Sequence, residues 1–209
     1  MSLDLDVQAL LRSTQVQEIN FQLGRIRVSG LGFAALSNLF TDREIRERVH
    51  VVVRPGVLRP DTEALYRPSG GNTIVVRLPT VMATLAGRAT LVHECTHAQV
   101  DLRGIPTSVP EGEAVAFVAK AWFLLASAGD NVDKIAPDFA PAFVDIAKDL
   151  RARSRPSGRP EVIRTSRGKS VEMTRYQIAV AREIVLQYYR YERGFYEGNG
   201  IWGRFYRGD

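Results

Sequence analysis

The run Leu91-Val92-His93-Glu94-Cys95-Thr96-His97-Ala98 puts two imidazoles four residues apart, with a carboxylate directly after the first. On a helix, positions i and i+4 lie about 40° apart on one face, so both rings can reach one cation. Zinc suits such a pair, because it takes neutral nitrogen ligands at about 2.0–2.1 Å in a tetrahedral site. Glu94 is turned about 100° from His93. From there it can lean over a water at the ion, accept its proton as general base and pass it to a leaving amine. The spacing therefore predicts hydrolysis assisted by Zn2+, with His93 and His97 as ligands and Glu94 as the catalytic residue. Cys95 is turned about 200° from His93, onto the stripe of Leu91, Ala98 and Leu102, and is expected in the core. The third histidine, His50, lies in a valine-rich run and is expected to be structural.

These residues need a helix, and the surrounding pattern supplies one. Residues 81–102 carry no strand alternation and no proline, so they are expected to form one long helix. Upstream, Ile26 and Val28 alternate with Arg25 and Arg27. Val49, Val51 and Val53 alternate with His50, Val52 and Arg54 up to Pro55-Gly56. Ile74, Val76 and Leu78 alternate with Thr73, Val75 and Arg77 after a Gly70-Gly71-Asn72 turn. Each reads as a strand. Downstream, residues 103–110 form a connection, and Pro110 suits the start of a helix over 111–127. Further helices are expected at 4–12, 140–152 and 172–193, with an irregular tail. Strands first and helices after predict an α+β fold in a single domain spanning 1–209, a small N-terminal sheet followed by a mostly helical part.

A catalytic zinc site needs a third protein ligand. No histidine follows His97 and no cysteine precedes the motif, which leaves a carboxylate. Pro110-Glu111-Gly112-Glu113-Ala114 opens the next helix. With His93-Glu94-x-x-His97 and Thr90 before it, this resembles the gluzincin zinc metallopeptidases over roughly residues 73–125. The resemblance implies a zincin-like fold and a peptide or protein substrate. It also implies a glutamate ligand from the second helix, which Glu111 matches in the setting Glu-Gly-x-Ala. If Lys120 marks the wet face, Glu113 lies about 20° from that face and Glu111 about 180° away, which favours Glu111 and keeps Glu113 as the alternative. In such folds the strand at 73–78 takes an edge position, where it could also pair with an extended peptide. Tyr176, ahead of Tyr188, Tyr189 and Tyr191, is the first place to look for a donor to the developing oxyanion. A rival reading keeps the metal but not the catalysis: an inactive zincin-like scaffold or partner-binding module.

Composition narrows the remaining classes. The chain has 209 residues, 45% apolar and 24% charged, which suits a folded globular protein. Its apolar runs look too short to span a membrane. The acidic start shows no secretory signal, and a single cysteine fits a reducing compartment, so a cytoplasmic location is expected. The net charge of +5 is local: residues 151–169 hold seven basic residues against Glu161, a balance of +6, leaving −1 elsewhere. With its prolines and glycines, 151–170 reads as an exposed basic loop. No aromatic residue is interleaved with those arginines, so nucleic acid is not an expected partner.

Overall fold

The computed structural model describes residues 2–40, 48–69, 71–137, 139–154 and 171–198, with residues 187–198 described by their helical backbone alone. Helices α1 (Leu3–Leu11) and α2 (Thr14–Gln17) precede strands β1 (Asn20–Leu23) and β2 (Ile26–Ser29), which pair antiparallel. Helix α3 (Gly30–Asn38) follows at once, capped by the Ser29 hydroxyl on the Gly32 N–H. Its glycines are spatial requirements. A β-carbon on Gly30 would collide with the main chain of Gln17, and one on Gly32 would lie 2.5 Å from the side-chain amide carbon of Gln99.

Strands β3 (His50–Val53), β4 (Ala64–Arg67) and β5 (Thr73–Val76) form a separate sheet in the order β3-β5-β4, with β3 parallel and β4 antiparallel to β5. The segment expected at an edge is thus the middle strand, and among the described residues β4 is an edge. Its register explains its use. Glu63 accepts from the Arg77 N–H at 2.9 Å, so alternate residues 63, 65 and 67 bond to β5. Ala64 and Tyr66 turn their peptide groups the other way.

The helix predicted over 81–102 is divided. A 3-10 turn covers Pro79–Ala83, and Thr84 then caps α4 (Leu85–Asp101) by accepting the Gly87 N–H at 3.0 Å. Gly87 packs on the Val81 carbonyl, a contact that excludes any side chain there. Helix α5 (Val109–Ala128) carries Pro110 in its first turn as expected, and starts two residues before the expected 111, with Ser108 at its N-cap. Contacts His97–Glu113, His93–Phe117 and Thr90–Lys120 show α4 and α5 running antiparallel. By length and composition the stretch Val109–Ile135 would reach across a bilayer, contrary to the sequence expectation. More than half of its most apolar 18-residue window is buried, the environment of a core helix, with Trp122 stacked on Phe21 of β1 at 6.1 Å.

Helices α6 (Val132–Ile135) and α7 (Pro141–Ser154) follow, and β6 (Val171–Glu172) pairs parallel with β1 before α8 (Arg175–Gly198). A segment from the C-terminal half thereby joins an N-terminal sheet, and helix predominates among the described residues. The architecture is mixed α+β, with two three-stranded sheets among the described residues where one sheet was expected. Arg151 and Arg153, assigned from sequence to the basic loop, belong to α7. Arg151 pairs with Glu18 at 3.2 Å, and Arg153 with Asp149 at 2.8 Å. The rest of the expected loop, 155–170, lies outside the described residues.

Candidate metal centre

Helix α4 presents both imidazoles on one face, as the i, i+4 spacing requires. Nε2 of His93 lies 3.1 Å from Nε2 of His97. Helix α5 closes the cluster with Glu113. One carboxylate oxygen is 3.2 Å from His93 Nε2 and the other 3.4 Å from His97 Nε2. Donor atoms about 2.05 Å from a tetrahedral ion stand about 3.3 Å apart. The two nitrogens stand close to that figure, each Glu113 oxygen stands close to it from one ring, and one donor atom from each of the three residues lies within 4.8 Å of the others, so the side chains present fit a zinc ion. Among the described residues, this is the grouping of His, Cys, Asp and Glu side chains close enough to hold a metal.

Glu111, the carboxylate expected at the metal, faces elsewhere. Its Oε2 accepts the Ser108 hydroxyl at 2.6 Å and the Ser108 N–H at 3.3 Å, closing a capping box at the start of α5. Its other oxygen meets Arg182 of α8 at 3.6 Å. The Ser108 hydrogen bonds, with Arg182, hold its carboxyl below the usual range. The angular relation between Lys120, Glu113 and Glu111 holds on α5, but Lys120 is the inward-facing residue. Lys120 is not on a wet face: it points into the α4–α5 contact, and Glu113, about 20° from it, points there too.

Electrostatics tie the three ligand candidates together. Burial alone would raise the Glu113 carboxyl. The charge of His97 and hydrogen bonds from both imidazoles outweigh it and hold Glu113 well below its ordinary value. Burial opposes charge on His97 as well, yet the Glu113 carboxylate lifts it to about 9. The His93 ring is fixed by packing, edge-on to Phe117 with centroids 4.6 Å apart, while its buried Nδ1 meets no hydrogen-bond partner among the described residues.

Glu94 lies beside this cluster, with Oε1 4.0 Å from His93 Nε2. Its Oε2 accepts the main-chain N–H of Tyr66 at 2.7 Å, so strand β4 orients it. Burial dominates its surroundings and raises its pKa despite the nearby imidazoles. A carboxyl shifted upward is a stronger base than an exposed one. Cys95 is fully buried, as expected, and burial followed by the Glu94 charge pushes its thiol up.

Lys120 was read as a surface marker and is instead a site neighbour. Its Nζ lies 3.2 Å from the Thr90 hydroxyl and 5.5 Å from the centre of the Phe139 ring. Burial lowers its pKa, while the charges of Glu94 and Glu63 act in the other direction. The signal was present in the sequence: Glu113, Phe117 and Lys120 are spaced i, i+4, i+7, one stripe of α5. Tyr176, the first oxyanion-donor candidate, is 78% exposed on the first turn of α8. The side chains of Tyr188, Tyr189 and Tyr191 lie outside the described residues. His50 sits on β3, outside the cluster. Comparison of the chain with protein-family models, curated proteins and solved structures finds no match.

Proposed function

We propose that this chain is a zinc-dependent metallopeptidase with a gluzincin-like ligand set, in which His93, His97 and Glu113 hold the ion and Glu94 is the general base. The observation that carries the reading is the convergence of two imidazole nitrogens 3.1 Å apart and the Glu113 carboxylate, whose oxygens stand 3.2 and 3.4 Å from one ring each, with a second, separately oriented carboxylate beside them. Zinc, when bound there, supplies a Lewis acid that polarises a scissile carbonyl and acidifies water.

The chain's own groups support the remaining steps. Glu94, kept basic by burial and aimed by the Tyr66 N–H, accepts the proton of the attacking water and delivers it to the departing amine. The peptide groups of Ala64 and Tyr66 point away from β5, on the side where the Tyr66 N–H meets α4. An extended substrate backbone pairing there would lie across Glu94. A soluble hydrolase working on cytoplasmic peptides or proteins accords with this reading.

The test is turnover of a broad peptide library by the wild-type chain and by Glu94→Gln at equal zinc content. The reading expects hydrolysis by the wild type and a loss of about 10²–10⁴-fold in kcat for the variant. Full zinc occupancy with no turnover by either protein would favour the inert scaffold.

A further inference from the structure

Hydrolysis of an amide places negative charge on the carbonyl oxygen, and a preorganised donor facing that charge is among the largest contributions a site can make. Tyr176 is exposed, and Arg182 is paired with Glu111. Lys120 is different on three counts.

Its location is the first. Thr90, which it contacts, lies one helical turn before Glu94 and about 40° from it, so the ammonium rests on the Glu94 side of the cluster. It shares the α5 stripe of Glu113 and Phe117, the residues that meet the imidazoles. Its bonding is the second. Among the described residues, its ammonium makes one hydrogen bond, to a neutral hydroxyl, and no carboxylate oxygen lies within 4 Å. An ammonium has three donors, and a largely buried one is ordinarily paired. Its surroundings are the third. The Phe139 ring on one side lowers the local polarity and strengthens any charge interaction made there.

We propose that Lys120 is the oxyanion-stabilising residue of this site and, in the absence of substrate, a receptor for a small oxyanion beside the metal ligands. The inference rests on the metallopeptidase reading. As the water oxygen bonds to the carbonyl carbon, the π electron pair moves onto the carbonyl oxygen and the water proton passes to Glu94. Lys120 donates an N–H hydrogen bond to that oxygen and keeps its proton. When the C–N bond breaks, the electron pair returns to re-form the carbonyl, and the amine leaves with the proton from Glu94. Lys120 thus serves the charge that appears in the transition state, and its removal should act on kcat rather than KM.

The experiment compares the full zinc-loaded chain with Lys120→Met and Lys120→Arg, titrated with inorganic phosphate and assayed on the peptide library, with zinc content measured for each. The expected result is phosphate binding weakened at least tenfold in Lys120→Met and largely restored in Lys120→Arg. With it should come a kcat loss on the order of 10²–10³ in Lys120→Met, KM within about threefold and zinc unchanged. Equal phosphate affinity in wild type and Lys120→Met, or no phosphate binding by the wild type, overturns the proposal. So does a rise in KM with kcat preserved. If the zinc-loaded wild type hydrolyses nothing, the peptidase reading and the oxyanion role fall together, while the phosphate titration still decides whether Lys120 receives anions. If the chain binds no zinc, both readings fall. Because Lys120→Arg keeps the charge, a folding defect confined to Lys120→Met is recognised by its thermal melt.

Discussion

The main-chain N–H of Tyr66 reaches Oε2 of Glu94 at 2.7 Å. The same tyrosine also holds α4 further along, its hydroxyl 2.9 Å from Oδ2 of Asp101 and 3.2 Å from Oδ1 of Asn72. Glu94 and Asp101 are seven residues apart, two turns on one face. Strand β4 is thus fastened to the helix at two points, and one of them is the carboxylate that the proposed chemistry uses.

Removing the outer fastening should loosen the inner one. Tyr66→Phe is expected to lower stability by about 1 kcal/mol, the usual net worth of such a hydrogen bond. It should leave zinc content unchanged and reduce kcat several-fold, because the Tyr66 N–H remains but the strand carrying it is less constrained. Chemical denaturation and steady-state kinetics on one preparation check both parts. Wild-type stability in the variant would show that the hydroxyl contributes nothing to holding the strand.

Glu111 separates capping from metal binding. Glu111→Ala removes the capping box and should cost about 1 kcal/mol of stability. The partly exposed contact with Arg182 should add little. Zinc stoichiometry should stay at the wild-type value. Loss of zinc from this variant would return the ligand assignment to Glu111.

The metal-free protein should show a defined pH window. Glu113 is depressed below its ordinary 4.5, so its contribution is present above that pH and fades as the pH falls further. His97 is raised from 6.5 to about 9, so its contribution is complete below 6.5 and fades as the pH rises toward 9. The pair therefore stabilises the chelated protein most between about pH 4.5 and 6.5. Thermal melts in chelator should show a larger decline from pH 6 to pH 9.5 in the wild type than in Glu113→Gln. Parallel declines would mean that the pair does not couple to folding.

The parts legible in the sequence were those with local causes. The histidine pair and its helix follow from residue spacing, and the start of α5 follows from Pro110 and its neighbours. What escaped depends on distant partners. Gly30 and Gly32 look like loop residues until Gln17 and Gln99 are seen to need the space, so α3 went unread. Strand β4 is four residues long and contains an alanine, a weak strand former, and only its pairing with β5 and its contact with Glu94 define it. The choice between Glu111 and Glu113 turned on which face of α5 is wet. A lone lysine misled because its charge suggested solvent, whereas the fold places it against Thr90 and Phe139.

The account stands most directly on zinc stoichiometry, measured by elemental analysis of the purified wild-type chain, His97→Ala and Glu113→Ala. The predicted result is one zinc per wild-type chain and loss of most of it in each variant, with both variants still folded. A wild-type chain free of metal after incubation with zinc, or full occupancy retained in Glu113→Ala, would contradict it.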